Sequence, residues 1–386
     1  MTIDGLRIAL FSGNYNMTVD GANKALNRLV EYLQRHGAEV RVYSPTVARP
    51  AFEPQGTLVS LPSIAIPGRG EYHWPLGLSR AVRRDLESFA PDVLHLSSPD
   101  FAARAAERWA RSRGIPVLAS VHTRFETYPR YYGLGFMERP LEVYIRNLYR
   151  KCDALVTPSV GMVEVLRAQR MNADIALWER GVDRELFNSG RRDLAWRRAH
   201  GLADEDVAIG FLGRLVMEKG LDAFAATIAE LRRRAVPHKV LVIGDGPARG
   251  WFEERLPGAI FAGFQHGAEL GRAVAAIDVL FNPSDTETFG NVTLEAMACG
   301  VPVVAARATG SSSLVVDGEN GALAPPGDIA GFADALARYI ADPRSRAEHG
   351  RAGEERSRAY AWDAINQVVA DTYLRLIEAR RNRRSA

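Results

Sequence analysis

Two glutamates that flank a loop-to-helix junction are the residues of this sequence best suited to form a functional site. Glu287 and Glu295 lie eight residues apart in the string SDTETFGNVTLEAMAC, which begins at Ser284, and the Phe289-Gly290-Asn291 step between them should open a helix. A helix N-terminus gathers unpaired N–H groups and the positive end of the dipole, so it suits a phosphate. Carboxylates on both sides suit hydroxyl-rich groups. The pattern indicates a nucleotide-sugar site, and a solvated helix with two incidental glutamates is the alternative.

A second segment of the same half carries cations. The string GRLVMEKG at 213–220 follows a predicted strand and contains Arg214 and Lys219. A guanidinium can bind a phosphate through two parallel hydrogen bonds, and an ammonium adds a point charge. Alone, the string is typical of an ordinary basic loop. Its place after a strand of the half that contains Glu287 favours phosphate binding.

A glycine-rich turn follows the next predicted strand. Gly244, Gly246 and Gly250 have the spacing GxGxxxG, one residue longer than the dinucleotide-binding fingerprint. Glycine permits close backbone approach and positive φ. The turn therefore either lines a pocket for a base or ribose, or is a plain turn.

In the first half, polar residues follow two predicted strands. His122 ends a strand and could donate to a sugar hydroxyl or stabilise developing charge, or have only structural partners. Arg124 and Tyr128 lie in the basic, aromatic loop that follows, which could contact a sugar ring or a lipid headgroup, or only cap the sheet. Asn14 and Asn16 lie in the first loop, before Asp20-Gly21 opens a helix. They could face the acceptor, although Asp20 is also a reasonable helix N-cap.

The apolar pattern predicts the elements that position these residues. Short strand-like runs alternate with amphipathic runs of helical period, which indicates βαβ units and parallel sheets. The pattern pauses near residues 181–206 and then restarts. The strand-like runs are Arg7–Phe11, Glu39–Tyr43, Val93–Leu96, Pro116–Val121, Ala154–Thr157, Val207–Leu212, Lys239–Ile243, Ile260–Phe261, Val279–Phe281 and Pro302–Ala305. The helix-like runs include Gly21–His36, Leu78–Phe89, Phe101–Arg113, Met137–Lys151, Gly161–Arg170 and Ala361–Ile377.

The sequence therefore predicts an α/β fold of two doubly wound, Rossmann-like domains that face each other across a cleft. Such sheets bind ligands at the carboxyl ends of their strands. We expect an acceptor-side domain at 1–182 and a nucleotide-sugar-binding domain at 183–360. Residues 361–386 should form a helix with a basic tail, for which packing back onto the first domain is one option.

Composition is that of a soluble globular enzyme, with 386 residues, 47% hydrophobic and 25% charged. We find no apolar run long enough to span a bilayer and no basic-then-apolar leader at the start. Cys152 and Cys299 cannot form a disulfide framework and have no metal-ligand spacing. We expect a cytoplasmic protein without a bound metal or cofactor.

The net charge of +3 is unevenly distributed along the chain. Residues 1–180 have 23 lysines and arginines against 18 acidic residues, residues 181–374 have 21 against 27, and residues 375–386 have 5 against 1. A basic half with a basic tail suits an anionic surface, which predicts peripheral binding to the inner face of the plasma membrane. A set of solvated helix faces is the alternative. We do not expect nucleic acid as a partner.

Together these strings resemble the retaining glycosyltransferases of family 4, which have the GT-B fold, and the resemblance covers nearly the whole chain. Its most specific parts are the Glu-x7-Glu motif and the string at 213–220. It implies that Glu287 holds donor-sugar hydroxyls, Glu295 the ribose diol, and Arg214 and Lys219 the diphosphate. It also implies that His122 lies beside the transferred sugar. The further donor contacts that we expect are Gly21, Arg180, Gly244, Gly246, Phe289, Gly290 and Asn291.

Within the family, the strings HTRFETYPRYYGLGFMERP at 122–140 and ERGVDRELF at 179–187 look most like bacterial α-mannosyltransferases that use GDP-mannose, and like related glycolipid glycosyltransferases. Arg180 stands where many relatives have Asn, and Asp20-Gly21 replaces the usual tandem glycine of the first loop. The likeness implies transfer of mannose to a membrane lipid or a lipid-linked acceptor. Alternatives are a UDP-glucose or UDP-glucuronate donor, a soluble saccharide acceptor, an epimerase without an acceptor, and a non-catalytic nucleotide-sugar-binding protein.

The resemblance also implies a mechanism. Closure of the two halves would bring the donor to the acceptor hydroxyl. The departing nucleoside diphosphate develops negative charge, which Arg214, Lys219 and the helix N-terminus would stabilise. The leaving phosphate would help to deprotonate the acceptor, and the anomeric configuration would be retained. In this scheme neither glutamate is a nucleophile, and no divalent metal is needed.

Overall fold

The structure is a computed structural model that describes residues 2–18, 21–66, 69–127 and 133–385. It divides into two compact units, of which the first is Met1–Glu179 with Trp362–Ala386 and the second is Arg180–Ala361. In the described residues the strands are β1 Arg7–Phe11, β2 Glu39–Ser44, β3 Thr57–Ser60, β4 Ser63–Ile66, β5 Arg69–Pro75, β6 Val93–Leu96, β7 Val117–Ser120, β8 Ala154–Thr157, β9 Ile175–Leu177, β10 Ala208–Leu212, β11 Lys239–Ile243, β12 Ile260–Gly263, β13 Val279–Asn282, β14 Val303–Ala306 and β15 Gly321–Ala324.

Helices connect these strands. They are α1 Gly21–Arg35, α2 Arg80–Phe89, α3 Phe101–Arg113, α4 Glu138–Tyr149, α5 Val160–Ala168, α6 Leu194–Ala199, α7 Leu221–Arg233, α8 Arg249–Arg255, α9 Gly267–Ala275, α10 Asn291–Ala298, α11 Ser311–Leu314, α12 Ile329–Ala341, α13 Pro343–Ser357 and α14 Trp362–Ser385. Side chains cap several of their first turns. Ser79, Asp100 and Ser159 accept from the backbone N–H groups of Val82, Ala103 and Met162.

The first unit contains a parallel sheet with strand order β3-β2-β1-β6-β7-β8-β9 and a separate antiparallel hairpin of β4 and β5. Strands β6, β7 and β8 are buried at every position, as expected for a sheet that helices cover on both faces. Successive strands run outward in opposite directions from β1 and β6. The point where the strand order reverses therefore lies between these two strands.

The second unit repeats the design with strand order β12-β11-β10-β13-β14-β15, and every pair is parallel. Its core is aromatic: the Phe224 ring lies 5.5 Å from Phe211, 5.5 Å from Phe252 and 5.0 Å from Phe281. Here the strand order reverses between β10 and β13.

Helix α14 belongs to the first unit although it follows the second in sequence. It packs on α1, and Arg35 forms an ion pair with Asp363 at 2.6 Å. Arg375 and Arg380 pair with Asp174 and Asp153, each at 2.6 Å. Part of the basic tail is thus engaged with the unit itself. The helix also extends to Ser385, beyond the predicted end at Ile377.

Candidate functional site

The loops that follow β10 and β13 lie side by side because these strands are hydrogen-bonded neighbours in the sheet. Both loops leave the carboxyl ends of their strands at the point where the strand order reverses. Ligands of open α/β sheets bind at such a point, in the crevice outside the carboxyl ends of the strands. The two strings that the sequence singled out, 213–220 and 284–291, occupy these loops.

An ion pair joins the two loops. The Lys219 Nζ atom lies 2.7 Å from the Glu287 Oε1 atom, with the Lys219 side chain 36% exposed and the Glu287 side chain 12% exposed. Burial lowers the pKa of the Lys219 ammonium, but the carboxylates of Glu287 and Glu218 raise it by more, so this pKa lies above its ordinary value. Lys219 therefore stays protonated at neutral pH, and its ammonium group orients the Glu287 carboxylate.

Backbone contacts fix the same pair of loops. The Glu218 carbonyl accepts hydrogen bonds from the hydroxyls of Thr286 at 2.9 Å and Ser284 at 3.4 Å. Gly220 has φ +73°, and a Cβ atom there would lie 3.1 Å from the Pro283 carbonyl carbon. Glycine is needed at this position because it combines positive φ with a tight approach.

A third loop, which follows β14, forms hydrogen bonds with the backbone of Glu287. The Glu287 carbonyl accepts from the Gly310 N–H at 2.9 Å and from the Thr309 hydroxyl at 2.8 Å. A Cβ atom on Gly310 would lie only 2.6 Å from backbone atoms of Phe289. The Phe289 side chain is buried. The segment that carries Glu287 is therefore held on both sides by backbone packing.

Helix α10 begins where the sequence indicated, at Asn291. Gly290 precedes it with φ +98° and no side-chain cap, and the Leu294 N–H donates to the Gly290 carbonyl. The N–H groups of the first turn have no acceptor within the helix itself. Glu295 lies in the second turn, half-buried. Burial and, to a smaller extent, the Glu295 carboxylate raise the pKa of the nearby Cys299 thiol to about 12.

The glycine turn after β11 packs directly on the loop after β10. A Cβ atom on Gly244 would lie 1.9 Å from the Gly213 carbonyl oxygen, and one on Gly246 would lie 2.5 Å from the Leu215 carbonyl oxygen. The Leu215 N–H in turn donates to the Asp245 carbonyl at 3.0 Å. Arg214 lies between these contacts and is exposed. The structure thus brings together Arg214, Lys219, Glu287, Gly244 and Gly246 within three adjoining loops.

Arg180, the other expected donor contact, is the first residue of the second unit and is buried. Burial lowers the pKa of its guanidinium to about 9. The sequence did not indicate that this arginine would be shielded from water.

In the first unit, His122 lies just beyond β7 and is buried, with its ring centroid 5.2 Å from that of Trp178. The Trp178 Nε1–H donates to Asn366 of α14 at 3.2 Å. The sequence missed this support because Asn366 is distant along the chain. Gly21 is the first residue of α1, as predicted.

Three of the other acceptor-side residues have structural partners. Asn14 accepts from the His73 N–H at 3.0 Å, and Asn16 donates to the Phe52 carbonyl at 3.3 Å. Arg124 pairs with Glu126 at 2.9 Å. The fourth, Tyr128, and the Asp20 proposed as an N-cap lie outside the described residues.

The structure adds an acidic group that the sequence analysis did not single out. Asp100 caps α3 in the loop after β6, and a Cβ atom on Gly13, in the loop after β1, would lie 3.2 Å from its Oδ2 atom. Burial raises the pKa of Asp100 to about 6, although the Ser98 hydroxyl donates to it at 2.6 Å. Asp100 therefore lies at the reversal point of the first sheet. Its position directly after a strand, in the string SSPD, was the available signal.

Among the described residues, no cluster of three or more His, Cys, Asp or Glu side chains is arranged to hold a metal ion. The helices of the described segments likewise include none with the length and apolarity needed to cross a membrane.

Comparison with known proteins gives two family matches. A model described as Glycosyltransferase Family 4 matches residues 19–186, and one described as Glycosyl transferases group 1 matches residues 206–342. A GDP-mannose-dependent alpha-mannosyltransferase of Mycolicibacterium smegmatis is 33% identical over 98% of this chain and 99% of its own length. A sulfoquinovosyl transferase of Arabidopsis thaliana is 31% identical over 94% of this chain and 72% of its own length. The solved sucrose-phosphate synthase of Thermosynechococcus elongatus has a similar fold, with a TM-score of 0.79 at 22% identity, covering 97% of this chain and 100% of that one.

Proposed function

The chain belongs to glycosyltransferase family 4, and we propose that it transfers mannose from GDP-mannose to a membrane lipid or a lipid-linked acceptor with retained anomeric configuration. The family and the predicted fold, two doubly wound domains of the GT-B type, are confirmed. The observation that carries the proposal is the Lys219–Glu287 pair, at the reversal point of the second sheet and next to the start of α10.

In this proposal the second unit binds the donor. Glu287, oriented by Lys219, accepts hydrogen bonds from the sugar hydroxyls, and Glu295 accepts from the ribose diol. Arg214, Lys219 and the first-turn amides of α10 bind the diphosphate. The negative charge that develops on the departing GDP is stabilised by these cations and amides. The turn at Gly244 and Gly246 lines the base pocket.

The first unit supplies the acceptor side. His122 lies beside the transferred sugar, where its imidazole donates a hydrogen bond to a sugar hydroxyl. The oxygen of the leaving phosphate takes the proton of the acceptor hydroxyl, so that neither Glu287 nor Glu295 forms a covalent intermediate. Mannose as the sugar is supported by the M. smegmatis relative, which is similar over nearly its whole length.

Radiolabelled GDP-mannose and UDP-glucose, each incubated with a bacterial lipid extract and with the aqueous extract, test the proposal. We expect label from GDP-mannose in the lipid phase, with an α-linkage in the product. Label only in the aqueous product would replace the lipid acceptor by a soluble saccharide. Donor binding without transfer to either fraction would favour a non-catalytic nucleotide-sugar-binding protein.

A second candidate is a glycolipid-forming transferase that uses UDP-glucose or UDP-glucuronate. The sulfoquinovosyl transferase, named for a sugar other than mannose, is about as similar to this chain as the mannosyltransferase, and this keeps a donor other than GDP-mannose as a candidate. Transfer from the uridine donor but not from GDP-mannose, in the same experiment, would select it.

The proposed chemistry also makes a prediction about metals. Because Arg214, Lys219 and the helix amides stabilise the leaving diphosphate, turnover should be unchanged by excess EDTA. Loss of turnover in EDTA, restored by a divalent cation, would contradict this part of the mechanism.

A further inference from the structure

Four apolar side chains form a row on the first unit, which we call the apolar row: Ile64, Trp74 and Phe101 are exposed, and Tyr144 is half-buried. Ile64 and Trp74 are directly paired residues of the β4–β5 hairpin. The Trp74 ring centroid lies 5.6 Å from that of Phe101, which lies 6.4 Å from that of Tyr144. Ile64 is 56%, Trp74 42% and Phe101 51% exposed. One continuous surface is therefore built from the hairpin and from helices α3 and α4.

The position of the apolar row connects it to the acceptor side. Phe101 directly follows Asp100, and the Tyr144 hydroxyl donates to the Asp100 carbonyl at 3.3 Å. At the other end, Asn14 of the loop after β1 accepts from the backbone of His73, next to Trp74. The row thus begins at the loops after β1 and β6, where the strand order of the sheet reverses and a ligand is expected.

The apolar row has a basic border. Helix α3, which begins at Phe101, contains four arginines and one glutamate. Burial raises the pKa of the Tyr144 hydroxyl and so does Asp100, whereas the positive charges of Arg104 and Arg108 lower it. Arg104 also donates to the Asn147 carbonyl of α4 at 3.0 Å, and Arg108 is exposed.

Exposed aromatic rings bordered by arginines match the interface of an anionic bilayer. Tryptophan and tyrosine rings are enriched at the headgroup level, and arginines near an anionic surface are attracted to it. A patch of this kind on a soluble protein marks an interaction surface. We propose that the apolar row, with Arg104 and Arg108, is the surface through which the first unit binds an anionic lipid bilayer. This inference rests on the proposed lipid acceptor, whose headgroup would thereby reach the loops at Asp100 and Gly13.

Flotation with vesicles of phosphatidylcholine and phosphatidylglycerol tests the surface. We expect the wild type to bind, and to be released by salt because charge contributes. The double variant Trp74→Ser/Phe101→Ser should bind ~10-fold more weakly or worse, since two interfacial rings are lost. Arg108→Gln should weaken binding and its salt dependence. The matched control is Phe264→Ser, which removes a ring that is 64% exposed on the second unit and should leave vesicle binding unchanged.

Tryptophan fluorescence tests whether the Trp74 side chain enters the lipid. Trp74 is the most exposed of the six tryptophans, all of which lie in described residues. Vesicles that contain brominated phosphatidylcholine should quench the fluorescence of the wild type. In Trp74→Phe, which keeps a ring in the row, binding should persist and the quenching should largely disappear.

The outcomes separate this inference from the proposed function. Vesicle binding that the double variant Trp74→Ser/Phe101→Ser and Arg108→Gln both retain would overturn the apolar row as the surface and leave the proposed sugar transfer standing. Wild-type protein that transfers mannose to the extracted lipid fraction but fails to bind vesicles would overturn the membrane surface alone. Self-association that sedimentation velocity detects in the wild type and not in the double variant would assign the row to a second copy of the chain, and would also overturn the inference.

Discussion

At the scale of single residues, the Lys219–Glu287 ion pair joins the two loops of the proposed donor site. A partly buried ammonium that loses its carboxylate is left uncompensated, and a carboxylate that loses its ammonium is no longer oriented. The sequence predicted both residues from their types and from their places after strands. It did not predict that they would contact each other, because 68 residues separate them and only the pairing of β10 with β13 brings them together.

Removal of either partner should therefore impair catalysis severely. We expect Lys219→Ala and Glu287→Ala each to lower turnover by at least ~100-fold, the size of effect seen when an electrostatic contact to the reacting groups is lost. Initial rates of mannose transfer at saturating donor measure this. Lys239→Ala is the matched control, since Lys239 is exposed at the amino end of β11, and its rate should equal that of the wild type. Near-normal turnover in both site variants would refute the assignment.

The buried His95 makes the stability of the first unit depend on pH. It is fully buried in β6 beside Tyr373, and burial lowers the pKa of its imidazole from 6.5 to about 3. Between these values the unfolded chain binds a proton that the folded chain does not. Stability from this group is therefore complete above pH 6.5 and is lost progressively as the pH falls toward 3, by about 1.4 kcal/mol per pH unit.

The variant His95→Phe isolates this effect. Its melting temperature should be lower than that of the wild type at pH 7, because the Tyr373 hydroxyl loses its partner. Its further decline between pH 6.5 and pH 5 should be smaller, because no imidazole becomes charged on unfolding. Thermal melts followed by circular dichroism at several pH values give the pH dependence of the melting temperature of each protein. Equal declines in the two proteins would show that His95 does not titrate on unfolding.

At the scale of elements, three loops of the second unit contain glycines that pack directly against the backbone of a neighbouring loop. Gly310 is the most informative of them, because its φ of −77° is one that alanine adopts readily. The obstacle to a side chain is the Phe289 backbone, which would lie 2.6 Å from the Cβ atom of an alanine. A substitution there tests packing alone, without backbone strain.

We expect Gly310→Ala to displace the loop that carries Glu287 and to weaken donor binding at least ~10-fold, because a site displaced by tenths of an ångström loses its aligned contacts. Isothermal titration with GDP-mannose measures the affinity. Gly250→Ala is the control: a Cβ atom there meets no described neighbour within 4 Å, and Gly250 lies within α8. Unchanged affinity in Gly310→Ala would show that the loop packing does not position the site.

The sequence predicted the elements with a strong apolar pattern well and those with a weak pattern poorly. The bounds of β1, β6, β8, β11 and α3 agree with the predicted runs residue for residue. The strand β9 was missed because three residues carry too little pattern, and the β4–β5 hairpin was missed because its exposed apolar residues do not alternate toward a core. These hairpin residues are among those that form the apolar row.

Features of the site that depend on neighbouring residues could also be predicted, whereas those that depend on distant segments could not. The junction at Gly290 and Asn291 could be predicted because loop and helix are adjacent in sequence. The support that Gly310 gives to Glu287, and the contact of Asn366 with Trp178, could not, since each depends on how distant segments pack. A family resemblance supplied the expected roles of Arg214 and Glu295, which residue types alone left open.

At the scale of the whole molecule, two units of similar design carry different charge and different surfaces. The first has a basic sequence, a C-terminal helix that returns to it, and the apolar row. The second has an acidic sequence, and two of its cations, Arg214 and Lys219, lie in the loop after β10, at the reversal point of its sheet. In the proposed function, the second unit binds the anionic donor and the first unit binds the anionic lipid surface.

Titration calorimetry of the full chain with GDP-mannose, GDP and UDP-glucose tests the central claim most directly, because that claim is that the loops around Glu287 and Lys219 bind a sugar nucleotide. We predict saturable binding of GDP-mannose by the wild type, and an affinity at least ~10-fold weaker in Glu287→Gln, which keeps the shape of the side chain but loses its charge. Absence of binding to every sugar nucleotide, or equal affinity in the wild type and Glu287→Gln, would contradict it.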